Sequence, residues 1–200
     1  IKSFKNTNNT QSDPNSIKRA AKLISNSSKG IIIVGGGIKY TSGFKPVIEL
    51  AEYLNVPIVT AAGHGDAIPF NHKLNAGQMG PRGNPVATKL TKEADIILAI
   101  GTRLGFNSTF YSFENINKKA KIIQVELEKK MLGKYFPIKI GINADAATTA
   151  NQLLREFKKQ KIKSEVKIWT EKFKNERSNY LFQRNNCLLY TSPSPRDVIQ

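Results

Sequence analysis

The sequence predicts an α/β fold, a doubly wound and mostly parallel sheet with helices on both faces, and three observations predict it. The stretch Ala94 to Leu104 holds the most continuous apolar run of the chain, Ile96-Ile97-Leu98-Ala99-Ile100, and this run stops abruptly at Gly101. Ile31-Ile32-Ile33-Val34 likewise runs into Gly35-Gly36-Gly37. Between such runs lie segments whose apolar residues recur at helical spacing. A short Ile-rich run bounded by a charge and a glycine needs both faces buried, as a central parallel strand has, although periodicity alone leaves a short buried helix as the alternative. In open sheets of this class ligands lie beyond the carboxyl ends of the strands, where the strand order reverses. Gly101, Thr102 and Arg103 are therefore the first candidate contacts.

Composition sets the outer bounds. Two hundred residues with 40% hydrophobic content make one ordinary domain plus tails. No stretch approaches the roughly 20 consecutive apolar residues of a membrane helix, and the segment beginning at Ile1 has no signal-peptide core, so the reading expects a missing beginning and no membrane partner. Cys187 is the single cysteine, which leaves no disulfide framework and makes a cytoplasmic location the default. The net charge of +16 invites a nucleic-acid reading, but only 7 of the 31 basic residues are Arg, the lysines are scattered, and no base-reading motif is present. No nucleic-acid partner is expected. Lys158 to Lys167 reads as a solvated helix end and linker.

Taken in order, residues 1–15 are polar, carry Pro14, and read as a linker entering a domain. Asn15 or Ser16 is placed to cap a helix whose Ile17, Ala20, Ala21 and Ile24 fall on one face. After the strand at Ile31 to Val34, the three glycines allow close backbone approach, and a helix from about Ser42 to Leu54 would aim its N–H groups at the same place. The spacing is not that of G-x-G-x-x-G, because Tyr40 stands at the third position, and a tight structural turn explains the triple glycine equally well. Val56 to Ala61 supplies another strand. The loop Gly63 to Pro69 then carries His64 and Asp66, candidates for polar contact or proton transfer, though such residues more often hold their own loop, and His64 with His72 completes no metal cluster. Gly77 to Gly83 reads as a second glycine-rich loop with Arg82 as a candidate anion clamp or plain surface arginine. A helix from Asn84 to Glu93 leads into the central strand. Lys121 to Glu126 follows as a strand whose terminal Glu126 is placed to meet a ribose hydroxyl, a role Glu128 would serve as well. Ile138 to Ile142 and a helix from Asp145 to Lys158, with Ala146, Thr149, Ala150, Leu153 and Leu154 inward, end the domain near residue 160.

Four of these segments, Ala94 to Gly105, Ala120 to Glu126, Lys130 to Gly133 and Ile140 to Ala146, together resemble the central domain of thiamine-diphosphate enzymes of the acetolactate-synthase group. Within that group, the loop His64 to Pro69 with His72, and the run Lys130 to Gly133, look most like the sulfoacetaldehyde acetyltransferases. The resemblance covers about Ser16 to Lys158. It departs at Ala144, where the group usually has Gly, and at Glu126, where it usually has Asp.

The resemblance implies a six-stranded Rossmann-like sheet at 16–160 as the middle of a three-domain subunit, with a linker at 1–15 from one absent domain and a linker at 161–186 toward another. It implies a homo-oligomeric enzyme, a dimer or tetramer, that uses thiamine diphosphate and Mg2+ held by those other domains, so no catalytic residue and no metal ligand falls in this chain, and the chain alone is expected to be inactive. Gly35, Gly36, Gly37, Gly101, Thr102, Arg103 and Glu126 are the fold-equivalent cofactor-binding candidates. Acetolactate synthases hold FAD in the equivalent crevice whereas the acetyltransferases generally do without it. FAD in an acetolactate synthase or glyoxylate carboligase therefore stands as the alternative. A non-catalytic nucleotide-binding module and a nicotinamide-dependent deacylase share this sheet as further alternatives. The last stretch, 187–200, resembles a translated sequencing adapter read through from a short insert and is set aside from the fold.

Overall fold

The computed structural model describes residues 10–40, 43–161 and 167–187. Residues 1–9 of the expected entry linker, Ser42 at the expected helix start, 162–166 of the expected exit linker and 188–200 of the adapter-like tail lie outside the described residues.

Helix α1 (Pro14–Ser25) begins two or three residues earlier than its sequence suggests. Asp13, not Asn15 or Ser16, is the N-cap, its carboxylate accepting from the main-chain N–H of both, while Pro14 sits at the first helical position where a missing N–H costs nothing. Strand β1 (Gly30–Val34) follows, buried along its whole length, then a single turn α2 (Gly37–Tyr40) and helix α3 (Phe44–Leu54), which buries Val47, Leu50, Ala51 and Leu54. Asn55 ends α3 in the left-handed conformation, a position Asn tolerates. Strands β2 (Ile58–Thr60) and β3 (Asn75–Gln78) come next. The second corrects the loop expected over Gly77 to Gly83: Asn75 to Gln78 pair in parallel with β2 as an edge strand.

Helix α4 (Pro85–Glu93), capped by Asn84, leads to β4 (Ile96–Ile100), buried throughout. One turn, α5 (Phe106–Thr109), and β5 (Lys121–Glu126) follow, then β6 (Ile140–Asn143) and α6 (Ala146–Gln160), whose N-cap is Asp145. The six strands form one all-parallel sheet in the order β3-β2-β1-β4-β5-β6. The β1–β2 connection through α3 and the β3–β4 connection through α4 travel in opposite directions. Right-handed crossovers therefore place those two helices on opposite faces.

Helix α7 (Lys167–Cys187) falls mostly in the stretch expected to be an exit linker, yet Trp169, Thr170 and Phe173 are buried. Trp169 Nε1 donates to the carbonyl of Gly30 at 3.1 Å, Thr170 Oγ1 to Asn55 at 2.5 Å, and Arg177 Nη2 to Phe70 at 2.7 Å. All three carbonyls stand at or before the N-terminal ends of strands, so α7 straps that end of the sheet. No helix among the described residues is long and apolar enough to cross a membrane.

Candidate functional site

Between β1 and β4 the strand order reverses, and beyond their C-terminal ends lies a cavity of about 820 Å³. Six of the seven sequence-predicted residues line it: Gly36, Gly37, Gly101, Thr102, Arg103 and Glu126. Gly35 does not line it and lies packed against the turn after β4, because a Cβ there would stand 2.6 Å from the carbonyl oxygen of Gly101 and 2.7 Å from Cβ of Thr102.

The glycines are explained first by the chain itself. Gly35 N–H donates to Ile100 at 3.2 Å, Gly37 N–H to the Gly101 carbonyl at 2.9 Å, and Gly101 N–H to Val125 at 3.0 Å, which stitches the turns after β1 and β4 to the sheet. Gly101 takes a φ of 60°, and a Cβ on it would meet Cα of Gly37 at 2.9 Å, while one on Gly37 would meet Cα of Gly101 at 2.7 Å. The two turns interlock as bare backbone, and the cavity opens beside that joint. Gly36 accommodates the His64 ring, whose Cε1 a Cβ would approach to 2.8 Å.

Charge at the mouth is largely paired. Arg103 Nη2 donates to Glu128 at 3.2 Å, and Lys130 lies 2.7 Å from the same carboxylate. Lys130, reinforced by Arg103, holds the Glu128 carboxyl below its ordinary value. Glu126 turns back on its own loop, Oε1 accepting from Leu127 N–H at 3.0 Å and Glu128 N–H at 3.5 Å. Asp66 is ion-paired with Lys39, which holds its carboxyl below the ordinary value. His64 lines the cavity, and its Nδ1 is buried without a partner, the polar atom on this wall that the described residues leave unsatisfied. Arg82 is exposed and is not among the cavity-lining residues.

Sequence reasoning missed several contributors. Asn107 and Ser108 enter from α5, Ser108 Oγ accepting from Ala62 N–H at 2.9 Å, and Asp145 with Ala146 brings the start of α6 to the wall. Gln124 is the other omission. Buried within β5, it donates to the Thr102 carbonyl at 3.2 Å and accepts from Gly133 N–H at 2.8 Å, tying the turn that carries Arg103 to the Lys130 to Gly133 run. The signal was available: an amide in an otherwise apolar strand interior needs partners, and only neighbouring loops can supply them.

The arrangement, a glycine-lined cavity with polar groups at its mouth, can bind and orient a ligand. Its topology and motifs agree with comparison to known proteins. The sequence profile of the thiamine pyrophosphate enzyme central domain matches residues 17–153. The chain belongs to that family. Among its relatives, sulfoacetaldehyde acetyltransferase of Castellaniella defragrans is 36% identical over 149 residues, which are 74% of this chain and 25% of that protein. The enzyme of the same name from Roseovarius nubinhibens is 36% identical over 143 residues, 70% of this chain and 24% of its own length. A probable acetolactate synthase large subunit of Methanocaldococcus jannaschii is 30% identical over 163 residues, 82% of this chain and 27% of that subunit. The chain thus spans about a quarter of the length of the curated relatives it matches.

Among the described residues no group of three or more His, Cys, Asp or Glu is placed to hold a metal ion. Membership of this family decides against the nicotinamide-dependent deacylase reading.

Proposed function

We propose that this chain is the central domain of a thiamine-diphosphate-dependent transferase that converts sulfoacetaldehyde and phosphate to acetyl phosphate and sulfite. The observation that carries the proposal is the agreement with two sulfoacetaldehyde acetyltransferases across most of the chain. Thiamine diphosphate, which serves as the electron sink for a two-carbon unit, and Mg2+ are assigned to other domains of the polypeptide. The central domain contributes a rigid sheet and a crevice, with Gly35 to Gly37, Gly101 to Arg103 and Glu126 as its candidate binding edge. The parent is a cytoplasmic homo-oligomer in this reading, the chain before α1 leads back to one of its other domains, α7 leads on toward another, and the residues after α7 are foreign to it.

The same reading dispenses with FAD. An adenine dinucleotide in such a crevice calls on an acid at the end of the neighbouring strand. Here Glu126 directs Oε1 to the main chain of Leu127 and Glu128, which favours a structural over a ribose-binding role. The second reading, a flavin-containing acetolactate synthase or glyoxylate carboligase, is favoured by the cavity of about 820 Å³ at the strand-order reversal. The enzyme expressed from the coding sequence with its flanks, supplied with thiamine diphosphate and Mg2+, should release sulfite from sulfoacetaldehyde in a phosphate-dependent reaction and show no flavin band. Stoichiometric flavin with condensation of pyruvate and no sulfite would overturn it. The 200 residues alone should turn over neither substrate.

A further inference from the structure

Exposed aromatic side chains concentrate at one place. Phe106, Phe110, Tyr111 and Phe113 fall within eight residues of the connection leaving β4, Leu127 leaves β5 nearby, and all five are 40–53% exposed. The rings form two neighbouring groups. Phe106 lies 4.9 Å from Phe110 and 5.6 Å from Tyr111 between ring centres, Tyr111 stacks on Tyr135 at 4.4 Å, and Phe113 meets Phe136 edge-on at 5.3 Å. Phe106 and Leu127 also line the cavity, so this surface begins at its mouth.

The backbone is committed to this display. Phe110 and Tyr111 adopt φ values of 51° and 54°, a region that bulky residues rarely enter. Buried Thr109 braces the turn, its Oγ1 donating to the carbonyls of Leu104 and Gly105 and accepting from Tyr111 N–H, while Asn115 Nδ2 donates to the Thr109 carbonyl. A preorganised cluster of large rings rimmed by polar groups is the usual anchor of a protein–protein contact.

We propose that the aromatic surface over 106–113 with Leu127 docks against an apolar face of another domain of the longer polypeptide, closing the mouth of the crevice; this rests on reading the chain as one domain of a larger enzyme. Two observations choose that occupant. The matched region is about a quarter of the relatives' length, so most of such a polypeptide remains to be packed against it. The area also decides against a second copy. Four rings and a leucine, each about half exposed, offer on the order of 500 Å², less than the roughly 800 Å² per partner of a stable dimer. A tethered domain needs less, because the tether supplies the effective concentration.

The test is alkylation of Phe110→Cys and, separately, Phe113→Cys, read peptide by peptide in the mass spectrum, in the 200-residue chain and in the full-length enzyme. Both cysteines should react at least tenfold more slowly in the full-length enzyme and at a concentration-independent rate in the chain alone. Equal rates in the two polypeptides overturn the proposal. Protection that grows with concentration in the chain alone assigns the surface to a second copy and overturns it as well. Retention of the wild-type circular dichroism by either variant is enough to read the result. Sulfite release is measured on the same full-length protein: protection without sulfite release sinks the substrate reading and leaves the docking surface standing.

Discussion

At the N-terminal ends of its strands this sheet is closed by side chains, and at the C-terminal ends of β1 and β4 it is closed by bare backbone. Below, Trp169, Thr170 and Arg177 of α7 satisfy strand-end carbonyls, and the Asp95 carboxylate accepts from the N–H groups of Ser28 and Lys29 at 2.9 and 3.1 Å. Above, Gly35, Gly37 and Gly101 bond and pack against one another and the strand ends, with no side chain between them. Side-chain closure fills space, whereas backbone closure leaves it open, and the cavity of about 820 Å³ opens at the second end. The two ends should therefore fail in opposite ways: the lower when a large residue is made small, the upper when a small one is made large.

The largest effect is expected below. Trp169→Ala removes a buried ring and strands the Gly30 carbonyl, and should cost about 3–5 kcal/mol in urea denaturation. A loss under about 1 kcal/mol would mean that α7 rests on the sheet without supporting it, and the comparison would collapse.

Next comes its mirror image. Gly101→Ala places a methyl 2.9 Å from Cα of Gly37 at a φ of 60°, and should cost about 2–4 kcal/mol from combined overpacking and strain. Gly105→Ala, four residues on, meets nothing within 4 Å at a φ of −72° and should stay within about 0.5 kcal/mol. Equal costs at the two glycines would show that chain flexibility, not the interlock, decides tolerance here.

This asymmetry also explains what could be read from sequence. The central strands were legible because β1 and β4 are buried on both faces and carry unbroken Ile-rich runs. The edge of the cavity was legible because the glycines that end those runs are the ones the interlock requires. Strand β3 was not: Asn75-Ala76-Gly77-Gln78 has no β-branched residue, and its only neighbour is β2. Its pairing is a tertiary fact that outweighs local propensity. Helix α7 hid for a related reason. Its buried residues Trp169, Thr170 and Phe173 are too few and too closely set to stand out among twenty-one mostly polar positions. The contributions of Ser108 and Asp145 to the cavity wall depend on which loops meet in space, which no local spacing encodes.

The smallest effect tests whether charge matters to closure at the lower end. Glu52, near the end of α3, lies 3.1 Å from Lys73 Nζ and 3.5 Å from His72 Nε2, on the stretch that approaches β3. Lys73 first, with His72 adding to it, holds the Glu52 carboxyl below its ordinary value of 4.5. A carboxyl whose folded pKa is depressed binds fewer protons in the folded state. Its contribution is therefore complete above pH 4.5 and is lost as the pH falls through the lower, folded value. Solvent screens this half-exposed pair, so Glu52→Gln should cost less than about 1 kcal/mol near pH 7. The gap between the two proteins should close in strong acid, and high salt should narrow it at neutral pH. Urea midpoints of wild type and variant across the acid range measure this directly. A gap that persists unchanged into acid would assign the effect of Glu52 to packing of its stem against the approach to β3 and place this corner, like Trp169, among the shape-determined parts of the lower end.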